Sequence, residues 1–477
     1  MEFSNWGMIV LLALIQLTGL VFAVSAILHS RTPEASIAWA ICLVLVPGLS
    51  LPLYAIFGPR TFWKYRQLMS SADSDLQLRF EAEVTTCEDF TTELPDPLRD
   101  DQKLFETLAA WPFTYGNSFD LLHSGETTFT SIFEAIDKAA QYVLVQFYIV
   151  RNDFLGLKLK QKLIAAKQRG VKVYFLLDQV GSWALNAEYI EELRSAGVSI
   201  QMFSTSTRSW NRLQLNFRNH RKLVLVDGEL AFTGGCNVGV EYLGQDPRYG
   251  PWRDTSVRLS GPIVQGLQRT FVRDWYWATE DILTLNWSAK PSEDANVTAI
   301  PISTGAADAQ ESCSLIFLEL IQLAQKRLWI ASPYTVPDPG ILNALQLAAL
   351  RGVDVRILAP RNCDHFLVNI ASLEYQRKLI AAGVKVYHYL TGFMHQKVMV
   401  ADECWGTVGT ANLDNRSMRL NFELITLAYD KEAASAIANM LEVDLAQSEE
   451  LNEEYFERQS SLKHFTGKLC RLFAPIL

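Results

Sequence analysis

The chain has 477 residues, of which 49% are hydrophobic and 20% are charged, and its net charge at neutral pH is −9. This length exceeds that of one ordinary domain and allows two sizeable cores. The acidic balance argues against a general nucleic-acid binder, because affinity for the phosphate backbone depends on lysine and arginine density. We therefore expect no nucleic-acid partner, and any phosphate site must be locally basic.

Two uncharged apolar segments open the chain, over 7–28 and 37–58. Each is long enough to cross a hydrocarbon core of about 30 Å as a helix. A cleaved secretory signal is the alternative for the first segment, but no Lys or Arg precedes it and a second apolar segment follows directly. We predict a two-span transmembrane hairpin over 1–66.

The charges that flank these segments bear on orientation. Arg60, Lys64 and Arg66 follow the second segment, whereas the short connector carries only Arg31. This bias favours the cytoplasmic side for the rest of the chain. The polar, proline-containing stretch that follows predicts a surface linker over 67–115.

The remainder contains the same succession of segments twice. In each copy a helical stretch ends in Arg-Gly-Val, at 169–171 and 351–353, and leads into an apolar strand. Such alternation of helices and short apolar strands predicts an α/β fold. We expect two α/β layered lobes, 116–288 and 289–477, related by a pseudo-two-fold axis, with a ligand cleft where they meet.

Each copy also carries one pattern of five residue types at identical offsets. Residues two apart on a strand share a face, so the pattern places an imidazole beside an ammonium in each copy. Four further matches at fixed offsets from a histidine arise by chance in about 10⁻⁵ of cases. The residues are His220, Lys222, Asp227, Gly234 and Asn237 in the first copy and His395, Lys397, Asp402, Gly409 and Asn412 in the second.

These residue types suit chemistry at a phosphate. The amides of Asn237 and Asn412 offer donors to phosphate oxygens, so we predict that they bind substrate phosphate. We predict that the histidines and lysines of the pattern are catalytic, and we group Asp227 and Asp402 with them. Asp227 precedes Gly228 as in a tight turn, so a turn or lysine-orienting role stays open. The seven cysteines and seven histidines show no metal-binding spacing. We expect no metal and no cofactor.

The duplicated H-x-K-x4-D-x6-G-x-x-N pattern resembles the signature of the phospholipase D superfamily. Stretches such as VQFYIV, LLDQVGS, RNHRK and GTANLDNRSMRLNFE resemble bacterial cardiolipin synthases, and this resemblance covers nearly the whole chain. It implies transfer of a phosphatidyl group between two phosphatidylglycerol molecules, giving cardiolipin and glycerol through a phosphohistidine. It also implies a bacterial inner-membrane location, with the lipid bilayer as a partner, and a His-orienting role for Asp254 and Glu423, each acting on the histidine of the opposite half.

One difference from the superfamily lies after the first glycine of the pattern. This chain has Gly235 and Thr410 where many members have serine, which bears only on a hydroxyl contact. In the mechanism that the resemblance implies, one histidine attacks phosphorus and the other protonates the leaving oxygen. We favour His220 as the nucleophile and His395 as the acid, and the near-symmetry leaves the reverse open.

Other activities remain as alternatives. They are a hydrolytic phospholipase D, a phosphatidylserine synthase, a nuclease and an inactive membrane scaffold. The apolar hairpin and the acidic charge argue against a nuclease, and two intact half-sites argue against a scaffold.

Two further segments suggest contact with lipid. One supplies cations and aromatic rings before the first motif, with a solvated loop as the alternative. The other, 463–477, is either an interfacial amphipathic helix or a helix that caps the core. The residues of the first segment are Arg208, Trp210, Arg212, Phe217 and Arg218.

Overall fold

The computed structural model of the protein describes residues 2–30, 32–58, 87–204, 217–293 and 295–476. The chain forms two compact units, one of 1–70 with 204–217 and one of 71–203 with 218–477. The helices are α1 (Glu2–His29), α2 (Pro33–Leu45), α3 (Pro47–Phe57), α4 (Arg99–Ala109), α5 (Gly125–Lys138), α6 (Phe154–Gln168), α7 (Ala187–Ser195), α8 (Ile263–Thr279), α9 (Ser312–Leu323), α10 (Pro339–Leu350), α11 (Phe366–Ile380), α12 (Asn415–Arg419), α13 (Lys431–Ala446), α14 (Glu453–Glu457) and α15 (Ser461–Cys470), with 3-10 helices at Glu88–Phe90, Val240–Leu243 and Arg471–Ile476.

The strands of the described residues all lie in the larger unit. They are β1 (Thr114–Asn117), β2 (Asp120–Leu122), β3 (Tyr142–Phe147), β4 (Lys172–Asp178), β5 (Ser199–Phe203), β6 (Arg218–Asn219), β7 (Leu223–Val226), β8 (Leu230–Gly234), β9 (Trp252–Arg253), β10 (Ser256–Ser260), β11 (Val297–Thr304), β12 (Arg327–Ala331), β13 (Thr335–Val336), β14 (Asp354–Pro360), β15 (Lys385–Tyr389), β16 (Phe393–Met394), β17 (Val398–Ala401), β18 (Trp405–Gly409), β19 (Leu413–Asp414), β20 (Asn421–Tyr429) and β21 (Ser448–Leu451).

The smaller unit contains one helix that is long and apolar enough to cross a membrane, Trp6–His29 within α1. The second predicted span is divided into α2 and α3, because Pro47 has no N–H with which to continue the helical ladder. Gly19 of α1 lies against this break, where a Cβ atom would approach the Leu43 carbonyl oxygen to 2.4 Å and Pro47 Cβ to 2.7 Å. A two-span hairpin is therefore not confirmed by helix length among the described residues.

The larger unit contains two sheets of matching order, which confirms the predicted α/β fold with two lobes. The first sheet has the order β2-β10-β8-β7-β3-β4-β5, and the second has β1-β11-β20-β18-β17-β12-β14-β15-β21. Three neighbouring strands run parallel in each sheet. They are β3, β4 and β5 in the first sheet and β12, β14 and β15 in the second. Strands β3 and β7 are buried throughout, and all their residues except Gln146 of β3 are hydrophobic, as expected where helices cover both faces of a sheet.

The prediction of a surface linker over 67–115 is wrong for the described part, 87–115. Cys87, Phe105, Trp111 and Phe113 are almost fully buried and belong to the core of the second lobe. Helix α4 exposes its charged residues and buries an apolar stripe, so its polar composition concealed a core-facing helix. Strand β1 then joins the edge of the second sheet by antiparallel pairing with β11.

The C-terminal helix α15 presents two apolar faces. Cys470 and Ala474, which lies just beyond the helix, belong to a small buried cluster that also contains residues of α11. Phe465, Leu469 and Leu472 are 65%, 50% and 71% exposed. One face thus caps a core, while the other remains accessible.

Asp227 and Asp402 hold the starts of the two central strands. The carboxylate of Asp227 accepts hydrogen bonds from the N–H groups of 140–142 at 2.7–2.8 Å. The carboxylate of Asp402 does the same for 325–327 at 2.7–3.0 Å. Both residues occupy the left-handed region, with φ of 55° and 49°, which Asp tolerates in turns. We therefore correct their grouping with the catalytic residues: the contacts assign them a structural role.

Replacing Asp227 or Asp402 by Ala is expected to lower the free energy of unfolding by about 2 kcal/mol, because three N–H groups lose their acceptor in each case and one of the three is half-buried. Asp227→Asn should lose less, since Asn keeps one oxygen acceptor and tolerates the same φ. Thermal unfolding in detergent measures the loss. A fall in turnover per folded molecule of about 100-fold or more would restore a catalytic role for these aspartates.

Candidate active site

Two short parallel strand pairs join the lobes and carry the motif histidines. Strand β6 pairs with β20, and the N–H of His220 donates to the Phe422 carbonyl oxygen at 2.9 Å. Strand β16 pairs with β9, and the N–H of His395 donates to the Arg253 carbonyl oxygen at 2.8 Å. Each histidine is thus fixed by the main chain of the opposite lobe.

The side chains follow the same reciprocal arrangement. His220 Nδ1 lies 2.9 Å and 3.0 Å from the two carboxylate oxygens of Glu423. His395 Nδ1 lies 2.7 Å from Asp254 Oδ2. The structure therefore brings each histidine together with the carboxylate of the opposite half. A carboxylate accepts the hydrogen bond from Nδ1–H, which leaves Nε2 of each ring for chemistry.

The two carboxylates are themselves held by hydrogen bonds. Glu423 accepts from the Thr410 hydroxyl at 2.5 Å, the Ser417 hydroxyl at 2.9 Å and the Asn421 amide at 3.0 Å. Asp254 accepts from the Thr255 N–H at 2.8 Å. Multiple donors compensate the burial of a carboxylate and fix its orientation.

The residues after the first glycine of each motif differ because they face different carboxylates. Thr410 supplies a hydroxyl to Glu423. In the first copy a Cβ atom on Gly235 would lie only 1.9 Å from Asp254 Oδ1. The absence of a side chain at Gly235 therefore leaves room for Asp254 to contact His395. The first copy has no hydroxyl at this position.

The motif lysines are buried beside their histidines. Lys222 Nζ donates to the His220 carbonyl oxygen at 2.7 Å. Lys397 Nζ donates to the His395 carbonyl oxygen at 2.5 Å and lies 3.1 Å from His395 Nδ1. The side chain of Lys222 also passes over the ring of Tyr148, with Nζ 5.6 Å from its centroid.

The two half-sites share one electrostatic environment. Burial, supported by Lys222 and Lys397, lowers the pKa of His220 to about 4 against the opposing effect of Glu423. Burial also lowers the pKa of Lys222 to about 7, and Lys397 of the second lobe contributes. The pKa of His395 is lowered by burial and by Lys397. An anionic phosphate bound among these groups would favour their protonated forms.

The carboxylates remain ionised in this setting. Burial acts to raise the pKa of Asp254 and Glu423, but the charges and hydrogen bonds of the adjacent histidine and lysine side chains together hold both values below the usual range. The Nδ1 atom of each histidine thus has an ionised carboxylate beside it, and Nε2 is the ring nitrogen left for chemistry.

The two predicted phosphate ligands have partners within their own lobes. Asn237 donates to the Tyr242 hydroxyl at 2.7 Å and accepts from the Ile149 N–H at 3.1 Å. Asn412 donates to Asp414 at 3.2 Å. An amide nitrogen carries two hydrogens, so each asparagine keeps a second donor.

Aromatic residues around the histidines were missed by sequence reasoning. The His395 ring packs near Tyr242, Trp252 and Phe393, at centroid distances of 6.0, 5.1 and 5.9 Å. The His220 ring contacts Tyr148 edge-on at 5.1 Å. Phe393 and Trp252 lie two positions before His395 and Asp254, and residues two apart share one strand face. That spacing would have identified them.

The cationic segment before the first motif is only partly described. Arg208, Trp210 and Arg212 lie outside the described residues. Arg218 is buried and forms a side-chain hydrogen bond with Tyr148. Arg416 of the second lobe also acts electrostatically on Tyr148, so two guanidinium groups serve the His220 side of the site. Among the described residues, no cluster of three or more His, Cys, Asp or Glu side chains suits a metal ion.

Comparison with known proteins identifies the family of this chain. Residues 132–275 and 317–445 match the family described as "Cardiolipin synthase, PLD-like domain". The chain is 44% identical to cardiolipin synthase A of Pseudomonas aeruginosa, over 98% of this chain and 96% of that one. It is 43% identical to cardiolipin synthase A of Pseudomonas putida, over 98% and 97%.

The fold is also that of a solved structure. A phosphatidylserine synthase from Haemophilus influenzae superposes with a TM-score of 0.62 at 15% identity, covering 79% of this chain and all of that one. At this identity the likeness concerns the fold alone. The family match across both lobes and the near-complete coverage by relatives establish that this protein belongs to the cardiolipin synthase family.

Proposed function

We propose that this protein transfers a phosphatidyl group from one phosphatidylglycerol to a second, releasing glycerol and forming cardiolipin, at a single centre built from His220 and His395. The observation that carries the proposal is the reciprocal pairing of each histidine with a carboxylate of the opposite lobe. This arrangement presents two oriented Nε2 atoms within one electrostatic environment.

In the first step, Nε2 of neutral His220 attacks phosphorus and the bond to the headgroup glycerol oxygen breaks. His395, protonated on Nε2, gives its proton to that oxygen, and glycerol leaves. In the second step, the neutral His395 takes a proton from a hydroxyl of the incoming phosphatidylglycerol. The resulting oxygen nucleophile attacks the phosphohistidine and releases His220.

Four neighbouring side chains suit the non-bridging oxygens of the phosphate. Lys222 and Lys397 provide ammonium groups, and Asn237 and Asn412 each retain an N–H donor. Preorganised donors of this kind stabilise the charge that develops as phosphorus becomes five-coordinate.

Two features support His220 as the nucleophile. The pKa of His220, lowered to about 4 by burial, keeps its ring neutral at physiological pH. The pKa of His395 is lowered as well, by burial and by Lys397, but Asp254 and Asp364 both act against that shift. We assign the proton to His395 because two carboxylates, Asp254 and Asp364, act to retain it there.

The choice between transfer and hydrolysis depends on the exclusion of water. A phosphohistidine passes its phosphatidyl group to an alcohol only where that alcohol outcompetes water. We propose that the apolar N-terminal helices hold the site at a bacterial inner membrane, where the acceptor lipid is concentrated. In this arrangement α2 and α3 together form the second span, and the basic residues after it favour a cytoplasmic catalytic body. The exposed face of α15 would add contact with the membrane surface.

The product formed from phosphatidylglycerol alone tests this function. Purified protein in vesicles that contain headgroup-labelled and acyl-labelled phosphatidylglycerol is expected to release free glycerol and form cardiolipin in equal amounts. Phosphatidic acid as the main product would instead indicate a hydrolase. Absence of turnover without an activated donor would favour a phosphatidylserine synthase type of reaction.

Replacement of each histidine separates the two roles. His220→Ala and His395→Ala should each lower turnover by more than about 10³-fold. With a phosphatidyl donor whose leaving group is p-nitrophenolate, which needs no proton, His395→Ala should still accumulate a phosphorylated protein, whereas His220→Ala should not. The buried His388, which pairs with Gln376, provides a matched control in His388→Ala. Labelling of His220→Ala but not of His395→Ala would reverse the roles.

The rate should depend on pH in a bell-shaped manner. In the free enzyme, kcat/KM should fall at low pH as His220 is protonated, with a midpoint near its pKa of about 4. It should fall at higher pH as His395 loses its proton. Bound phosphate favours protonation of both groups, so both limbs of the kcat profile should lie at higher pH than those of kcat/KM. A kcat/KM that stays constant from acid to alkaline pH would contradict paired imidazoles.

A further inference from the structure

Arg221, the residue after His220, forms a buried link between the lobes. Its guanidinium donates to the Glu423 carbonyl oxygen at 3.0 Å and to the Thr304 carbonyl oxygen at 2.9 Å. Glu423 and Thr304 face each other on strands β20 and β11. Arg221 of the first lobe therefore holds the main chain of the residue whose side chain orients His220.

The charge of Arg221 is neutralised by a carboxylate on the last helix of the first lobe. Arg221 donates to Asp274 Oδ1 at 2.6 Å. The other oxygen, Oδ2, accepts from Gln146 at 2.7 Å and Asn219 at 2.8 Å. Asp274 is fully buried and Arg221 is 4% exposed, so both charges depend on this contact.

A second arginine does the same on the other side of the centre. Arg253 donates to the carbonyl oxygen of Asp254 at 2.9 Å. It also donates to both carboxylate oxygens of Asp444, at 2.7 Å and 2.8 Å, across the lobe interface. Asp444 in turn accepts from Gln396, the residue after His395, at 3.0 Å.

The two aspartates correspond in position, whereas the two arginines do not: Arg221 follows a motif histidine, and Arg253 precedes a histidine-orienting carboxylate residue. Asp274 lies on α8, the helix that follows β10, and Asp444 lies on α13, the helix that follows β20. Strands β10 and β20 occupy equivalent places in the two sheets. In both, a buried helix aspartate holds an arginine, and the arginine holds the main chain of a histidine-orienting carboxylate residue. Hydrogen bonds between charged groups fix geometry strongly, and the pair of Arg253 and Asp444 is bidentate.

We infer that the pairs Arg221–Asp274 and Arg253–Asp444 are positioning residues of the active centre, each setting one histidine through the main chain of its carboxylate partner. None of the four touches a reacting atom. The inference rests on the two-histidine mechanism proposed above. It assigns a separate positioning pair to each half of the centre.

Removal of an aspartate charge should act on one histidine only. In Asp444→Asn the cation of Arg253 stays beside Asp254 without its counter-charge, so His395 holds its proton less well. In Asp274→Asn the uncompensated Arg221 has the same effect on His220. The other charged groups around these rings remain in both variants: Glu423, Lys222 and Lys397 for His220, and Lys397, Asp254 and Asp364 for His395.

The test is the pH dependence of phosphatidylglycerol turnover by the full-length protein in vesicles. Each variant should lose about 10- to 100-fold in kcat through displacement of its histidine, with KM within about twofold. Asp274→Asn should move the acidic limb of the profile to lower pH, and Asp444→Asn should move the alkaline limb to lower pH. If the histidine roles are reversed, the two limbs exchange and the inference stands.

The control is the ion pair of Lys160 and Glu192, which joins α6 to α7 of the first lobe. Glu192→Gln should change neither limb. Where an aspartate variant does not fold, Arg253→Lys replaces it. Lysine keeps the charge beside Asp444 but has one nitrogen, so it cannot also hold the Asp254 carbonyl oxygen, and kcat should fall in a folded protein.

Two results would overturn the inference. One is a kcat within about twofold of the parent in Asp274→Asn, Asp444→Asn or folded Arg253→Lys. The other is a loss of rate that matches the loss of folded protein, with both limbs unmoved. Failure of the proposed function is distinguishable, because it would appear as retained turnover in His220→Ala or His395→Ala.

Discussion

Each reacting imidazole is oriented by the lobe that does not carry it. The N–H and the Nδ1 of His220 are both bound by strand β20 of the second lobe, and those of His395 by the segment around β9 of the first. Neither lobe alone therefore presents an oriented histidine. Because ionised groups are costly to bury without partners, further donors from its own lobe hold each of the carboxylates of Glu423 and Asp254. The rest of the larger unit can be understood as a support for these two contacts.

The pseudo-symmetry of the fold does not extend to the electrostatics of the centre. Glu423 is surrounded by hydroxyl and amide donors. Asp254 lies beside aromatic rings, and there is room for it only because Gly235 has no side chain. Burial lowers the pKa of His220 to about 4. The pKa of His395 is lowered as well, but there Asp364 acts against the shift. The internal repeat supplies two equivalent histidines, and in the proposed mechanism such differences between their surroundings let one attack and the other carry a proton.

The sequence predicted the elements that repeat, because repetition makes the pattern visible. The strand after each Arg-Gly-Val step, the two lobes and the candidate set His220, Lys222, His395 and Lys397 were all predicted from it. The helix α4 was missed, since its charged face dominated the composition of 87–115 and hid Phe105. The function of Asp227 was misjudged because a motif gives spacing but no direction. Arg221 and Asp274 were invisible for a related reason: their contacts join strands that are distant in the chain.

Strand β1 has an implication for how such a molecule can be divided. The chain passes first through α4 and β1, which complete the sheet and the core of the second lobe, and only then builds the first lobe. The first lobe is therefore an insertion, in topological terms, between two parts of its neighbour. Trp405 packs against Phe105 and Phe113, which precede it by roughly three hundred residues. Dividing the chain between the lobes would separate the second lobe from its own edge strand, so the second lobe needs the uninterrupted polypeptide to reach its full sheet and core.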